Sequence, residues 1–123
     1  MAKLILVVED NKDNSDLVDK ILKHYGYDVK IIESSKEALE FCKSSPPPAL
    51  ILMDVSLPEM DGLELTKLIK QIPRYSQTPI VAVTAYSEKE MEEKALKAGC
   101  AGMLAKPFDP NELIKHLEQY ITS

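Results

Sequence analysis

Apolar residues along this chain fall into short continuous runs that alternate with stretches of helical periodicity. Leu4–Val8 is a five-residue apolar run closed by acids and predicts a buried strand. Leu17, Val18, Ile21, Leu22 and Tyr25 then share one helical face, and Gly26 is placed to stop that helix. Val29–Ile32 predicts a second strand. Ser34 and Glu37 have capping-box spacing ahead of a helix carrying Ala38, Leu39, Phe41 and Cys42, and Pro46-Pro47-Pro48 terminates it. Ala49–Met53 is a third strand. Asp61 and Glu64 repeat the cap, and Leu65, Leu68, Ile69 and Ile72 continue the helix as far as Pro73. Pro79–Val83 predicts strand four. Ser87 and Glu90 cap a helix with Met91, Ala95 and Leu96 that Gly99 stops. Met103–Ala105 predicts strand five. Asp109, Pro110 and Glu112 suit the cap, first and third positions of a last helix, whose face is Leu113, Ile114, Leu117, Tyr120 and Ile121.

Five strand–helix units with strands apolar throughout imply a parallel sheet covered on both faces. Right-handed crossovers leave few topologies. The predicted fold is α/β: a doubly wound, five-stranded sheet of flavodoxin-like order 2-1-3-4-5. At 123 residues the chain is read as one domain, residues 1–123.

Composition narrows the function classes. Fifteen Lys and Arg against 20 Asp and Glu leave a formal charge of −5, which argues against nucleic-acid binding because phosphate backbones select basic surfaces. The longest apolar runs fall far short of the ~20 residues of a membrane span. Met1-Ala2-Lys3 runs straight into the first strand, leaving no room for a signal peptide. A reducing cytoplasm is therefore expected, with Cys42 and Cys100 as small buried apolar residues; two cysteines make neither a disulfide framework nor a cysteine-only zinc site.

Ligands of open α/β sheets bind beyond the carboxyl ends of the strands. Strand one ends in Glu9-Asp10, strand three in Asp54, strand four in Thr84 and strand five in Lys106. A single acid there needs no explanation, since every strand must run into a polar loop. The set does. Three carboxylates on one rim repel one another unless positive charge sits among them, and Lys106 offsets only one. The charge balance points to a hard divalent cation such as Mg²⁺, which takes one or two carboxylates and fills its shell with water and phosphate oxygens. A cation, a lysine, a hydroxyl and a free carboxylate together suit a phosphoryl group, with the carboxylate as nucleophile.

Glu9-Asp10, the segment Asp54-Val55-Ser56-Leu57-Pro58-Glu59-Met60-Asp61-Gly62, Thr84-Ala85 and Lys106-Pro107-Phe108 together resemble the receiver domain of bacterial two-component response regulators, and the resemblance covers the whole chain. It is similar to the single-domain regulators of chemotaxis and cell-cycle polarity. The resemblance implies that Asp54 is the phosphoacceptor, taking a phosphoryl group from a sensor histidine kinase or histidine phosphotransfer domain. It implies that Asp10 holds Mg²⁺ directly and Glu9 through water, with Asp54 and the backbone carbonyl of Ser56 as further ligands. Lys106 would pair with the phosphoryl group and the Thr84 hydroxyl would bond another of its oxygens. The Lys106–Pro107 bond is expected to be cis. A downstream protein would dock on the face of helix four, strand five and helix five, which gives the charged run Ser87–Lys97 a second reading beside that of a solvated helix face. The chain would catalyse only its own aspartyl phosphorylation and dephosphorylation, and so is not an enzyme in the usual sense. One position departs from the pattern: Met103 stands where receivers carry a switching Tyr or Phe. Tyr86 lies where the family tunes hydrolysis of the acyl phosphate.

Three rival functions fit less well. A flavodoxin needs a Ser/Thr/Gly-rich phosphate loop after strand one, where this chain has Glu9, Asp10 and Asp13. A haloacid-dehalogenase-type phosphatase needs an acid two residues after its nucleophile, where this chain has Ser56. An interaction module with a dead acceptor site would not need all five polar side chains. His24 and His116 stand alone on helices and are read as non-functional, and the triple proline as a rigid loop.

Overall fold

A computed structural model describes residues 2–85 and 89–121. It contains the strands β1 (Leu4–Val8), β2 (Asp28–Ile32), β3 (Leu50–Asp54), β4 (Ile80–Thr84) and β5 (Gly102–Ala105). The helices are α1 (Lys12–His24), α2 (Ser35–Ser44), α3 (Gly62–Lys70), α4 (Lys89–Ala98) and α5 (Pro110–Glu118). All strand pairs are parallel and the order is β2-β1-β3-β4-β5, as the alternation predicts.

Alternate residues of each strand serve two separate cores, because successive side chains leave a strand on opposite faces. Leu6, Val8, Ile51, Met53, Ile80 and Ala82 meet α2, α3 and α4 through Ala38, Cys42, Leu65, Ile69 and Ala95. Ile5, Val7, Leu50, Leu52, Val81 and Val83 meet α1 and α5 through Val18, Ile21, Leu22, Leu113, Ile114 and Leu117. β3 and β4 are buried along their whole length, whereas edge strand β2 alternates exposed and covered residues. Each buried aliphatic side chain contributes about 1.5–3 kcal/mol by leaving water, so the rim is built on the most constrained part of the molecule.

The local signals act as their chemistry requires. Ser34 Oγ accepts from the Glu37 amide at 3.1 Å, Asp61 Oδ1 from the Leu63 and Glu64 amides at 2.9 Å, and Asp109 Oδ1 from the Glu112 amide at 2.8 Å. Gly26 (φ 91°) and Gly99 (φ 107°) adopt the left-handed conformation that ends α1 and α4. Both cysteines are free and buried, and burial raises both thiols.

Three residues expected on buried faces are exposed: Leu17 (54 %), Tyr25 (46 %) and Leu96 (54 %). Leu17 and Leu96 each sit one position from the buried residues Val18 and Ala95, roughly 100° round the helix, so they flank the stripe instead of joining it. Tyr25 is already the C-cap of α1. Strands three and four begin and end one residue later than their apolar runs, which makes Asp54 and Thr84 the last paired residues of β3 and β4. The expected Ser87 cap and Tyr86 lie outside the described residues.

Candidate functional site

The carboxyl ends of β1 and β3 are neighbours in the sheet, so Glu9 and Asp54 are brought together by strand pairing alone. Carboxylate oxygens of Glu9, Asp10 and Asp54 lie within 4.8 Å of one another. Glu9 and Asp54 are buried and Asp10 is exposed. Asn11 caps α1 through its side chain, which accepts from the Asn14 amide at 3.0 Å. Its own amide donates to Glu9 Oε2 at 3.3 Å. The acidic pair is thus held between a strand end and the first turn of a helix. Asn11 is absent from the candidates named on sequence, although an Asn directly before a helical run is itself a start signal.

Lys106 reaches the same point from β5. Its Nζ lies 3.1 Å from Glu9 Oε1 and 3.8 Å from Asp54 Oδ1. Its backbone amide donates to the Thr84 carbonyl at 2.7 Å, which ties the end of β5 to the end of β4. The Lys106–Pro107 bond is cis, as expected. Thr84 is buried at the end of β4, the strand next to β3. Ser56 is exposed on the loop after β3, and its amide donates to Asp54 Oδ1 at 3.0 Å. Four of the five strand ends therefore deliver the side chains singled out from the sequence to one rim. The pairing of Lys106 with Glu9, closer than with Asp54, is new: the sequence places both at the rim but does not fix which carboxylate takes the ammonium.

The site is short of positive charge. The Glu9 carboxyl is pushed up to about 7, first by burial and then by its hydrogen bond and charge repulsion with Asp54; Lys106 and the Asn11 amide pull the other way and lose. Burial wins because a carboxylate cut off from water loses solvation that one lysine does not restore. An all-oxygen donor set with excess negative charge fits a hard divalent cation.

Two further positions are set by packing. Gly62 opens α3, its amide donates to the Val55 carbonyl at 2.9 Å, and a Cβ there would overlap the Asp54 backbone carbonyl. Met103 is half-buried on β5 against the α2–α3–α4 core, where Met91 also packs.

Comparison with known proteins agrees with this geometry. The family model described as the response regulator receiver domain matches residues 5–118. The polar-differentiation response regulator DivK of Brucella ovis is 36 % identical over 121 residues, covering 98 % of each chain. The signal transduction histidine-protein kinase BarA of Escherichia coli K12 is 38 % identical over 120 residues, of which this chain spans 13 % of the kinase's length. The receiver domain of sensor histidine kinase PA1611 from Pseudomonas aeruginosa PAO1, with a magnesium ion coordinated in its active-site cleft, superposes with a TM-score of 0.91 at 33 % identity over the whole of both chains. A parallel 2-1-3-4-5 sheet with an acidic rim, matched along almost its full length, thus places the chain in the response regulator receiver domain family, the signalling modules of two-component systems.

Proposed function

We propose that residues 1–123 form a phosphoacceptor receiver whose acceptor is Asp54. The observation that carries this reading is the convergence of Glu9, Asp10 and Asp54 within 4.8 Å, with the Lys106 ammonium 3.8 Å from Asp54. Asp54 Oδ1 accepts the Ser56 amide and faces Lys106, so the other oxygen is the better placed to attack. A phosphohistidine on a sensor histidine kinase or histidine phosphotransfer domain supplies the phosphoryl group. The Asp54 oxygen forms the new P–O bond, the P–N bond breaks, and its electron pair returns to the imidazole of the donor. Lys106 and the Thr84 hydroxyl hold the arriving oxygens.

Asp10, Asp54, Glu9 and the Ser56 carbonyl are the groups to hold Mg²⁺. When bound, the cation supplies the positive charge that the three carboxylates lack and screens the incoming phosphoryl oxygens. Asp10 is exposed while Glu9 is buried against Lys106, which favours Asp10 as the direct ligand and Glu9 as a partner through water. Phosphorylation replaces a charge of about −1 at Asp54 with roughly −2, and the altered rim switches a downstream protein bound on the face of α4, β5 and α5. The chain does no other chemistry, binds neither nucleic acid nor membrane, and acts in the cytoplasm.

Intact mass spectrometry after incubation with acetyl phosphate tests the assignment. One phosphoryl adduct is expected with Mg²⁺ and none in EDTA or in Asp54→Asn. Full labelling of Asp54→Asn, or equal labelling in EDTA, would overturn it.

A further inference from the structure

A cavity of about 170 Å³ opens directly beside the carboxylates, on the α1–α5 side of the sheet. Its floor is hydrocarbon: Val7, Val18, Leu52, Val83 and Phe108, contributed by three strands, α1 and the loop before α5. Glu9, Asp54 and Lys106 line its polar end. Valine at three of the five floor positions leaves space that larger side chains would have filled. Apolar cavities of about 150 Å³ in other proteins accept benzene, so this one has room for a single six-membered ring or a branched hydrocarbon group of similar size.

The polar end decides what such a group must carry. Two carboxylates face one lysine there, with Asp10 adding a third acid within reach of the pair. A carboxylate or phosphate on a hydrocarbon stem would meet this excess of negative charge. A protonated nitrogen meets its complement and takes up part of the charge deficit described above.

We propose that this cavity is a binding site for compact hydrophobic amines, with the hydrocarbon seated between α1 and Phe108 and the ammonium directed to Glu9 and Asp54. Such a ligand takes the carboxylates that the divalent cation would also use, so amine and cation compete. The consequence is a site for direct control of the acceptor by a small molecule, with no need for a partner protein. The inference rests on the acceptor reading only for that consequence; the cavity and its charge stand independently of it.

Benzylamine is the probe, titrated into ¹⁵N-labelled protein without Mg²⁺, with benzyl alcohol and benzoate as controls. Affinity for a ligand of this size is expected at about millimolar. Saturable amide shifts should centre on α1, the end of β3 and the segment around Phe108, with benzylamine binding at least about fivefold more tightly than benzoate. Val18→Phe, which fills the floor, should weaken binding about tenfold. If that variant is not folded, Leu17→Ala, at an exposed wall position, should weaken it about threefold. Adding Mg²⁺ should raise the apparent dissociation constant of benzylamine in step with its concentration. Equal binding of benzoate, shifts centred elsewhere, indifference to both variants, or benzylamine binding unaffected by saturating Mg²⁺ would each overturn the proposal. Labelling by acetyl phosphate is scored separately, so loss of amine binding with labelling intact refutes this inference alone, and failed labelling with intact amine binding refutes only the acceptor assignment.

Discussion

Gly62→Ala sets two physical effects of opposite sign against each other. Gly62 is the first residue of α3 and is buried. On helix propensity alone, alanine gains up to about 1 kcal/mol over glycine. Packing says the reverse. An added Cβ would overlap the Asp54 carbonyl oxygen and stand 2.9 Å from both the Asp54 carbonyl carbon and Met53 Cγ. The obstruction is mostly the backbone of β3, which is fixed by ladders to β1 and β4 and cannot yield cheaply. Overpacking of this kind costs about 1–3 kcal/mol, and here the rigid neighbour puts it at the upper end. We expect a net loss of about 2 kcal/mol, a fall in Tm of about 8 °C for a domain of this size. Urea denaturation should give an unchanged m-value with a lower midpoint. The displacement falls on the residue that carries the proposed acceptor, so amide shifts should spread from the substituted position to residues 53–56 and acetyl phosphate labelling should slow. An alanine variant as stable as the parent would refute the reasoning and show that α3 can slide away from β3.

Four further outcomes follow from other parts of the structure. Glu9, raised to about 7 from 4.5, binds a proton in the folded state that the unfolded chain releases. Its stabilising contribution is therefore complete below pH 4.5 and is lost as pH rises through about 7, with a ceiling of about 3 kcal/mol at about 1.4 kcal/mol per unit; urea midpoints of metal-free protein should show a slope between pH 5 and 7.5 that flattens in Glu9→Gln, and an unaltered slope would contradict the assignment. Tyr75 is fully buried and donates to the carbonyls of Ser45 (3.1 Å) and Pro46 (3.3 Å), while Arg74 donates to those of Cys42 (2.7 Å), Lys43 and Ser45 (3.0 Å). Tyr75→Phe should cost about 1–2 kcal/mol, and Arg74→Ala should speed hydrogen exchange at the end of α2 while leaving α5 unchanged; equal exchange in both helices would mean that the clasp is not local. Met103 is half-buried and flexible, so Met103→Tyr should enlarge the amide shifts of residues 89–121 on beryllofluoride binding, and unchanged shifts would show that transmission bypasses β5.

The parallel sheet was legible because every strand but the edge strand β2 reads as a continuous apolar run, and the rim followed because a parallel sheet aims all its carboxyl ends one way. Glu9, Asp10, Asp54, Thr84 and Lys106 could be placed on that rim from position alone. What stayed hidden depends on side chains from distant parts of the chain. The Arg74–Tyr75 clasp joins the short 3-10 turn Pro73–Tyr75 to the end of α2 some 30 residues earlier, and the intervening sequence carries no mark of it. Lys70 likewise gathers the carbonyls of Tyr75, Ser76 and Thr78 at 3.4, 3.1 and 2.6 Å, ordering the turn before β4. Leu17 and Leu96 depart from expectation because a helical stripe has edges, and which flank is covered depends on the neighbouring element. The cavity beside the rim was invisible for a related reason: three valines read as good strand or helix core residues until the space between α1 and Phe108 is seen to exceed what they fill.

The rim is stabilised from outside and strained within, and that combination suits a switch. Hydrophobic burial in β1, β3 and β4 fixes the backbone, so the acids cannot relax by moving apart. Burial first, and Asp54 after it, raises the Glu9 pKa, and one lysine is divided between two carboxylates. A ligand that brings positive charge offsets this deficit, and one that adds negative charge near Asp54 competes with Glu9 for Lys106. A bound group shifts a conformational equilibrium only through contacts that differ between its states. Lys106 provides such a difference. Its side chain is tethered at the end of β5, whose backbone is bonded to the end of β4 through the Thr84 carbonyl at 2.7 Å. On the proposed acceptor reading, drawing the ammonium from Glu9 toward a phosphoryl group on Asp54 would pull on the junction between the two strands that carry Thr84 and Met103. If the charge deficit at the rim is coupled to β5 through Lys106, neutralising Glu9 should weaken the response of β5 to a bound group.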